Sequence, residues 1–293
     1  MMPEQQDLRS AEEITARFDR QELVKGWQLV GSELPRVVPV TRLGLKTDLG
    51  CLRENNEDRA EFYEPDDPGI LATRGALYLV ADGMGGHAAG QIASELAIKK
   101  MLAAYYGSRA DDVPAALTEA VQAANEHVFQ VAAAVPGRSG MGTTLTALAL
   151  VQDRAYLAHV GDSRAYLIRN GGIQQVTEDH TWVQEQVQKG ILTPEEAELS
   201  PYRNVITRCI GTQPDVEPDM LAVESQAGDT WLLCSDGLTG HVRDPELLQI
   251  VRDQAPSEAC RQLVDLACAR GGSDNITVLI VRLVALQPYD EPA

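Results

Sequence analysis

Four short acidic stretches each set a carboxylate beside a turn or at the end of an apolar run. They are Arg53-Glu54-Asn55-Asn56-Glu57-Asp58, Ala81-Asp82-Gly83-Met84-Gly85-Gly86, Cys234-Ser235-Asp236-Gly237 and Gly272-Ser273-Asp274-Asn275. The run Ala76 to Ala81 ends directly in Asp82, and the run Trp231 to Cys234 ends two residues before Asp236. Strand ends let a rigid sheet aim side chains at one point. Carboxylates gathered in this way repel one another unless a cation lies between them or they regain their protons. Oxygen donors with no matching Cys or His cluster suit hard divalent ions, Mg²⁺ or Mn²⁺. Arg53 sits five residues before Asp58 in the same acidic turn, and a guanidinium fork binds phosphate oxygens in pairs. These residue types support metal-dependent hydrolysis of an anionic ester.

The same residues admit two other uses. Gly83-x-Gly85-x-x-Ala88 satisfies the loose fingerprint of a dinucleotide-binding loop. In that use the Asp82 charge would face a pyrophosphate, and residues 111 to 135 read as helix where a strand bearing a ribose-binding acid is needed. A carboxylate followed by glycine can instead bridge two cations, with the Gly83 carbonyl as a further ligand. Asp236 and Asp274, taken singly, are ordinary turn aspartates. Together with Asp82 they occupy corresponding junctions of apolar strands with Gly-containing turns.

The elements that must position these groups follow from periodicity and punctuation. Strands are expected at Leu43–Thr47, Ala76–Ala81, Thr143–Val151, Arg154–Val160, Arg164–Arg169, Met220–Val223, Thr230–Cys234 and Ile276–Leu283. Turns at Gln152-Asp153 and at Gly161-Asp162-Ser163 predict that the strands of 143 to 169 pair antiparallel in sequence. Helices are expected at Ala88–Tyr106, Ala115–Val135, Pro245–Gln254 and Ser257–Ala269. Two long helices follow one strand with no strand between them, which argues against repeated βαβ units and for α+β layers. Residues 177 to 211 have little strand pattern, a break at Gly190 and a helix start at Pro194, and look like an insertion over a site. Residues 1 to 40 read as an extension, either disordered or with at most one amphipathic helix, around Ala11 to Leu29. Residues 287 to 293 read as a tail.

The 293 residues are 44% hydrophobic, ample for a core, and carry a net charge of −18 from 25 basic and 43 acidic side chains. That balance argues against a nucleic-acid or anionic-membrane partner. No apolar run is long enough to span a membrane, and the start lacks the pattern of a signal peptide. The five cysteines, Cys51, Cys209, Cys234, Cys260 and Cys268, form no metal-spaced pair and read as reduced, mostly buried thiols of a cytoplasmic protein. Among the histidines, His159 reads as a satisfied core residue, and His127 and His241 as surface or packing residues. His87 and His180 are the candidates for contact with substrate.

The ordered series Thr47-Asp48-x-Gly50-x-x-Arg53-x-x-Asn56-Glu57-Asp58, Asp82-Gly83-Met84-Gly85-Gly86-His87, Gly142-Thr143-Thr144, Gly161-Asp162-Ser163-Arg164, Ser235-Asp236-Gly237 and Asp274-Asn275-Ile276-Thr277 resembles the metal-dependent protein phosphatases of type 2C in their bacterial form. The resemblance covers about residues 43 to 284. It implies an α+β fold, a four-layer α-β-β-α sandwich with two central antiparallel sheets, over a catalytic domain of 41–286 with a flap-like segment at 177–211. It implies that Asp82 bridges two Mn²⁺ or Mg²⁺ ions, with the Gly83 carbonyl on one and Asp236 and Asp274 completing the other. Glu57 and Asp58 would hold metal-bound waters, and Arg53 the substrate phosphate. Asp162 matches an aspartate that, with Asp236, holds a third, weaker ion. Met84 stands where animal members carry a His proposed as general acid, which leaves proton donation to the leaving group unassigned. The implied activity is hydrolysis of phosphoserine and phosphothreonine in proteins by a hydroxide bridging the ions. The expected partners are phosphorylated proteins and a cognate Ser/Thr kinase, and the expected state is a monomer. A non-catalytic binding module on this fold would be expected to lack one or more of the metal carboxylates, and none is missing.

Overall fold

Continuous apolar runs, which put apolar side chains on both faces of a strand, dictate sheets covered on both sides. A computed structural model describes residues 37–288 apart from 87 and 139; the helix expected around Ala11 to Leu29 lies outside the described residues. The chain opens with β1 (Val37–Asp48), β2 (Arg59–Tyr63), the short helix α1 (Pro68–Arg74), β3 (Ala76–Ala81) and the two-residue β4 (Gly83–Met84). Two long helices follow, α2 (Ala88–Gly107) and α3 (Val113–Ala134), then β5 (Gly142–Thr143), β6 (Leu145–Val151), β7 (Arg154–Val160), β8 (Arg164–Arg169) and β9 (Gly172–Gln175). The inserted segment carries α4 (Trp182–Gln188) and α5 (Pro194–Leu199). After it come β10 (Asp219–Glu224), β11 (Thr230–Cys234), the one-turn α6 (Asp236–Thr239), α7 (Asp244–Asp253), α8 (Pro256–Ala269) and β12 (Ile276–Pro288).

Two five-stranded sheets result, ordered β1-β12-β11-β8-β9 and β10-β7-β6-β3-β2, with every pairing antiparallel. The period of two sorts each strand between two cores. In β3, Leu77, Leu79 and Ala81 pack under α2 and α3, while Ala76, Tyr78 and Val80 meet Trp231, Leu233, Leu279 and Val281 of the other sheet. In β11, Leu232 and Cys234 turn the opposite way, onto α7 and α8. The architecture is the α-β-β-α sandwich.

One pairing differs from the sequence-based expectation. β6 and β7 do pair across Gln152-Asp153, but β7 and β8 belong to different sheets. Gly161, at φ +113°, sends the chain across the sandwich edge, and a Cβ there would come within 2.5 Å of Thr144 Cγ2. This crossing sets Asp162 between the two sheets instead of at a hairpin tip. The cysteines are all free, but only Cys234 and Cys260 are buried, and Cys51 is exposed. Among the described residues no helix is long and apolar enough to cross a membrane.

Candidate active site

The carboxylates singled out from the sequence meet at one edge of the sandwich, where β3, β7, β11 and the start of β12 end or turn. Asp82 follows β3, and its position is fixed through the backbone. Its N–H donates to Thr144 Oγ1 at 2.8 Å, and its carbonyl accepts from the Thr144 N–H and the Thr143 hydroxyl, each at 2.8 Å. Gly83 is demanded by close approach: a Cβ would lie 2.1 Å from the Gly90 carbonyl of α2 and 2.7 Å from the Glu57 carbonyl. Gly90 is squeezed in turn, its would-be Cβ 2.0 Å from Glu57 Oε2. Asp236 opens α6 directly after β11, and Gly237 lets the Asn275 carbonyl come to 2.0 Å of where a Cβ would stand.

The loop 49–58 is tied down by Asn275, which is buried. Its Nδ2 donates to the carbonyls of Leu49 and Asn55 at 2.9 and 3.0 Å, and its Oδ1 accepts the Glu57 N–H at 2.7 Å. The Glu57 carbonyl accepts from Gly83 N–H and from Ser94 Oγ. Asp58 is fully buried; its Oδ2 accepts from Ser235 Oγ at 2.7 Å. Arg53, about half exposed, donates from Nη2 to Asp274 Oδ2 at 2.6 Å, and this partner is the main cause of its raised pKa. The sequence alone gave no role to Asn275, Thr144, Ser94, Ser235 or Gly90. All but Ser94 and Gly90 stand inside the quoted motifs, and that adjacency was the available signal.

The electrostatics show how closely the acids are gathered. Burial, then Asp58, Asp236, Asp162 and Asp274, hold the Asp82 carboxyl well above the usual range. Burial, then Asp236 and Asp179, does the same for Asp162. Burial pushes Asp58 up to about 7 against its hydrogen bonds, and pushes Asp236 up to about 6 with Asp274 adding to it. Asp58 Oδ1 is buried with no hydrogen-bond partner, a costly state for a charged oxygen. Uncompensated negative charge, oxygen donors and an orphaned carboxylate oxygen fit divalent hard cations. Among the described residues no group of three His, Cys, Asp or Glu side chains is placed to hold an ion as the side chains stand, so the carboxylates would have to draw together, and Arg53 to release Asp274, for the shell to form. Water would complete the shell, as Mg²⁺-like ions prefer.

These shifts fix a pH dependence. An acid with a raised folded pKa contributes stability that is complete below about pH 4 and is lost as pH rises through its folded pKa, here about 6 to 7. Divalent ions displace the same protons. The gain in melting temperature on replacing EDTA with excess Mn²⁺ should therefore be small at about pH 5 and larger by roughly 5 °C or more at about pH 8. Equal gains at both would overturn the assignment. His159, pushed down to about 4 by burial, acts in the opposite direction as pH falls below about 6.5, but it is common to both conditions and cancels.

A cleft of about 360 Å³ adjoins the cluster between the sandwich edge and the inserted segment; Asp162, Asp236, Arg203, Arg243, Val183 and Leu199 are among its lining residues. The segment's two arms are joined by the Thr181–Ile206 bridge, and its return is joined to the sandwich by Thr143–Ile210. His159 is the satisfied core residue expected, with Thr146 Oγ1 and the Glu178 carbonyl on its two nitrogens. His180, expected to reach substrate, is buried against the Gly161 turn instead. Met84 pairs with Gly142 in the β4–β5 ribbon and is half-buried.

The fold and this site define a class, and comparison with known proteins agrees. The family model of protein phosphatase 2C matches residues 54–186 and 208–276, and the chain belongs to that family. The stretch the model passes over, 187–207, lies within the inserted segment. The chain is 39% identical over 251 residues to the serine/threonine protein phosphatase PstP of Mycobacterium tuberculosis, covering 86% of this chain and 46% of that protein. It thus spans about half the length of that relative. It is 37% identical to the serine/threonine phosphatase stp of Listeria innocua, covering 83% of this chain and 96% of the relative. The crystal structure of the catalytic domain of PstP in complex with two manganese ions is similar at a TM-score of 0.73 and 39% identity, over 84% of this chain and 99% of that one.

Proposed function

We propose that this chain is a metal-dependent protein serine/threonine phosphatase that hydrolyses phosphoserine and phosphothreonine in proteins, reversing the action of a Ser/Thr kinase. The single observation that carries this reading is the gathering of five aspartates at one sandwich edge beside Arg53 and an open cleft. When bound, a pair of Mn²⁺ or Mg²⁺ ions supplies Lewis-acid charge and makes water acidic near neutral pH. Asp82 would be shared by the pair, with the Gly83 carbonyl, Asp236 and Asp274 as further ligands. Glu57 and Asp58 would hold waters of the shell, and Asp162 with Asp236 a third, looser ion. Arg53, a cation beside the cluster, would leave Asp274 and take the phosphate oxygens in a fork, orienting the ester and offsetting charge on its equatorial oxygens. The cleft beneath the inserted segment would receive the peptide on either side of the phosphorylated residue.

The test is hydrolysis of p-nitrophenyl phosphate and of a phosphothreonine peptide with Mn²⁺, with EDTA, and with Mn²⁺ restored. Activity should vanish in EDTA and return with excess ion; full activity in excess EDTA would overturn the reading. Arg53→Ala should raise KM for the phosphopeptide about 10- to 100-fold, the worth of a charge-assisted pair of hydrogen bonds. It should also weaken inhibition by inorganic phosphate while leaving calorimetric Mn²⁺ affinity nearly intact. Unchanged KM together with unchanged phosphate inhibition would refute the role.

A further inference from the structure

The turn that carries Asp162 is gripped from the root of the inserted segment by one side chain. His180 is 6% exposed. Its backbone N–H donates to the Gly161 carbonyl at 2.8 Å, and the Gly161 N–H donates to its Nδ1 at 3.0 Å. Because Nδ1 accepts, the neutral ring carries its proton on Nε2. Nε2 faces Asp219 Oδ2 at 3.4 Å, and Asp219 Oδ1 accepts from Arg208 Nη1 at 2.6 Å. One face of the ring lies against His159, with centroids 4.8 Å apart. The His180 carbonyl accepts the Thr207 N–H at 2.8 Å, so the same residue joins the outgoing and returning arms of the insertion. Across the turn, Thr144 Cγ2 leaves no space for a Cβ on Gly161, and Thr144 Oγ1 lies 2.7 Å from Ser163 Oγ. The residues on both sides of Asp162 are therefore held, one by His180 and the other by Thr144.

We propose that His180 is a positioning residue for Asp162, acting through acceptance of the Gly161 N–H at Nδ1. The two reciprocal bonds fix the turn that aims the Asp162 carboxylate and couple it to the root of the inserted segment. This rests on the role of Asp162 put forward above. A role in packing alone would ask only for a side chain of similar volume. The geometry asks for an acceptor at one place.

Two amides separate these cases. In His180→Asn the amide oxygen can stand where Nδ1 stands. In His180→Gln the amide reaches only the position of Nε2, facing Asp219, and leaves the Gly161 N–H unpaired. Turnover of a phosphothreonine peptide should stay within about threefold of wild type in His180→Asn and fall about tenfold or more in His180→Gln, in kcat with KM little changed. The loss should be smaller on p-nitrophenyl phosphate. In metal-free protein, hydrogen exchange at the Gly161 amide should be slow in wild type and His180→Asn and faster in His180→Gln. Asp219→Asn should keep kcat within about threefold, since it touches only the Nε2 side. Equal losses in the Asn and Gln variants, wild-type kcat in His180→Gln, or a loss in Asp219→Asn as large as in His180→Gln would each overturn the proposal. If both His180 variants fail to fold, a fall in kcat of about tenfold or more in Asp219→Asn, or fast exchange of the Gly161 amide in the wild type, overturns the proposal. Full activity of Asp162→Ala would sink the reading of Asp162 and leave the grip itself to the exchange rates.

Discussion

Asp82→Ala is expected to abolish turnover, by about a thousandfold or more, because it removes the carboxylate assigned to both ions and several kcal/mol of transition-state stabilisation with it. The fold should survive. The hydrogen bonds that hold Asp82 in place run through its backbone, to Thr143 and Thr144, and alanine keeps that backbone. In the absence of metal the change even relieves repulsion, since Asp58, Asp236, Asp162 and Asp274 all disfavour the Asp82 charge. The variant should thus melt at or above wild type in EDTA at about pH 8, yet gain far less from added Mn²⁺. A merely structural aspartate would show the reverse, lower stability in EDTA and a normal response to metal. A calorimetric Mn²⁺ titration matching wild type would contradict the assignment.

How much of this was legible in the sequence depends on what each feature is made of. β3, β7, β8 and β11 fall where the apolar runs place them, because both faces of each are covered and the runs end in turn residues. β2 and β9 were missed. Arg-Ala-Glu-Phe-Tyr and Gly-Ile-Gln-Gln are short edge strands, half-exposed, and owe their conformation to a neighbour and not to their own pattern. β1 runs back to Val37 through Pro39, so residues 37 to 40 belong to the sandwich and not to the extension expected over 1 to 40. An edge strand tolerates proline, and the long β12 supplies the ladder as far as Val37–Pro288. The change of sheet at Gly161 is invisible locally, since a tight turn looks alike whether it closes a hairpin or crosses a sandwich. The carboxylates stood out by type and place. Their supports did not: Asn275 reaches Glu57 and Ser235 reaches Asp58 across most of the chain, and no spacing rule finds such pairs.

Asp162→Ala should separate two kinds of substrate. An aspartate in a tight turn commonly caps its own backbone, and the Asp162 backbone does act to lower the pKa of its carboxyl. Capping alone would leave the carboxylate best placed in water. Instead Asp162 is buried, beside Asp236 and near Asp179, and these neighbours and its burial outweigh that lowering to hold its pKa high. Keeping a carboxylate there costs stability in the metal-free chain, and the cleft that adjoins the cluster opens on this residue. The arrangement suits the third, loosely held cation proposed above. Met84 cannot donate a proton, and a water held by such an ion would supply one to the departing alkoxide. The variant should keep its fold and its two tighter ions. Turnover on a phosphothreonine peptide should drop by about a hundredfold, the usual worth of assisted proton transfer. On p-nitrophenyl phosphate, whose leaving group departs without a proton, the drop should be several times smaller. If Asp162→Ala is only less thermostable, with unchanged turnover on both substrates, the residue caps a turn and does nothing more.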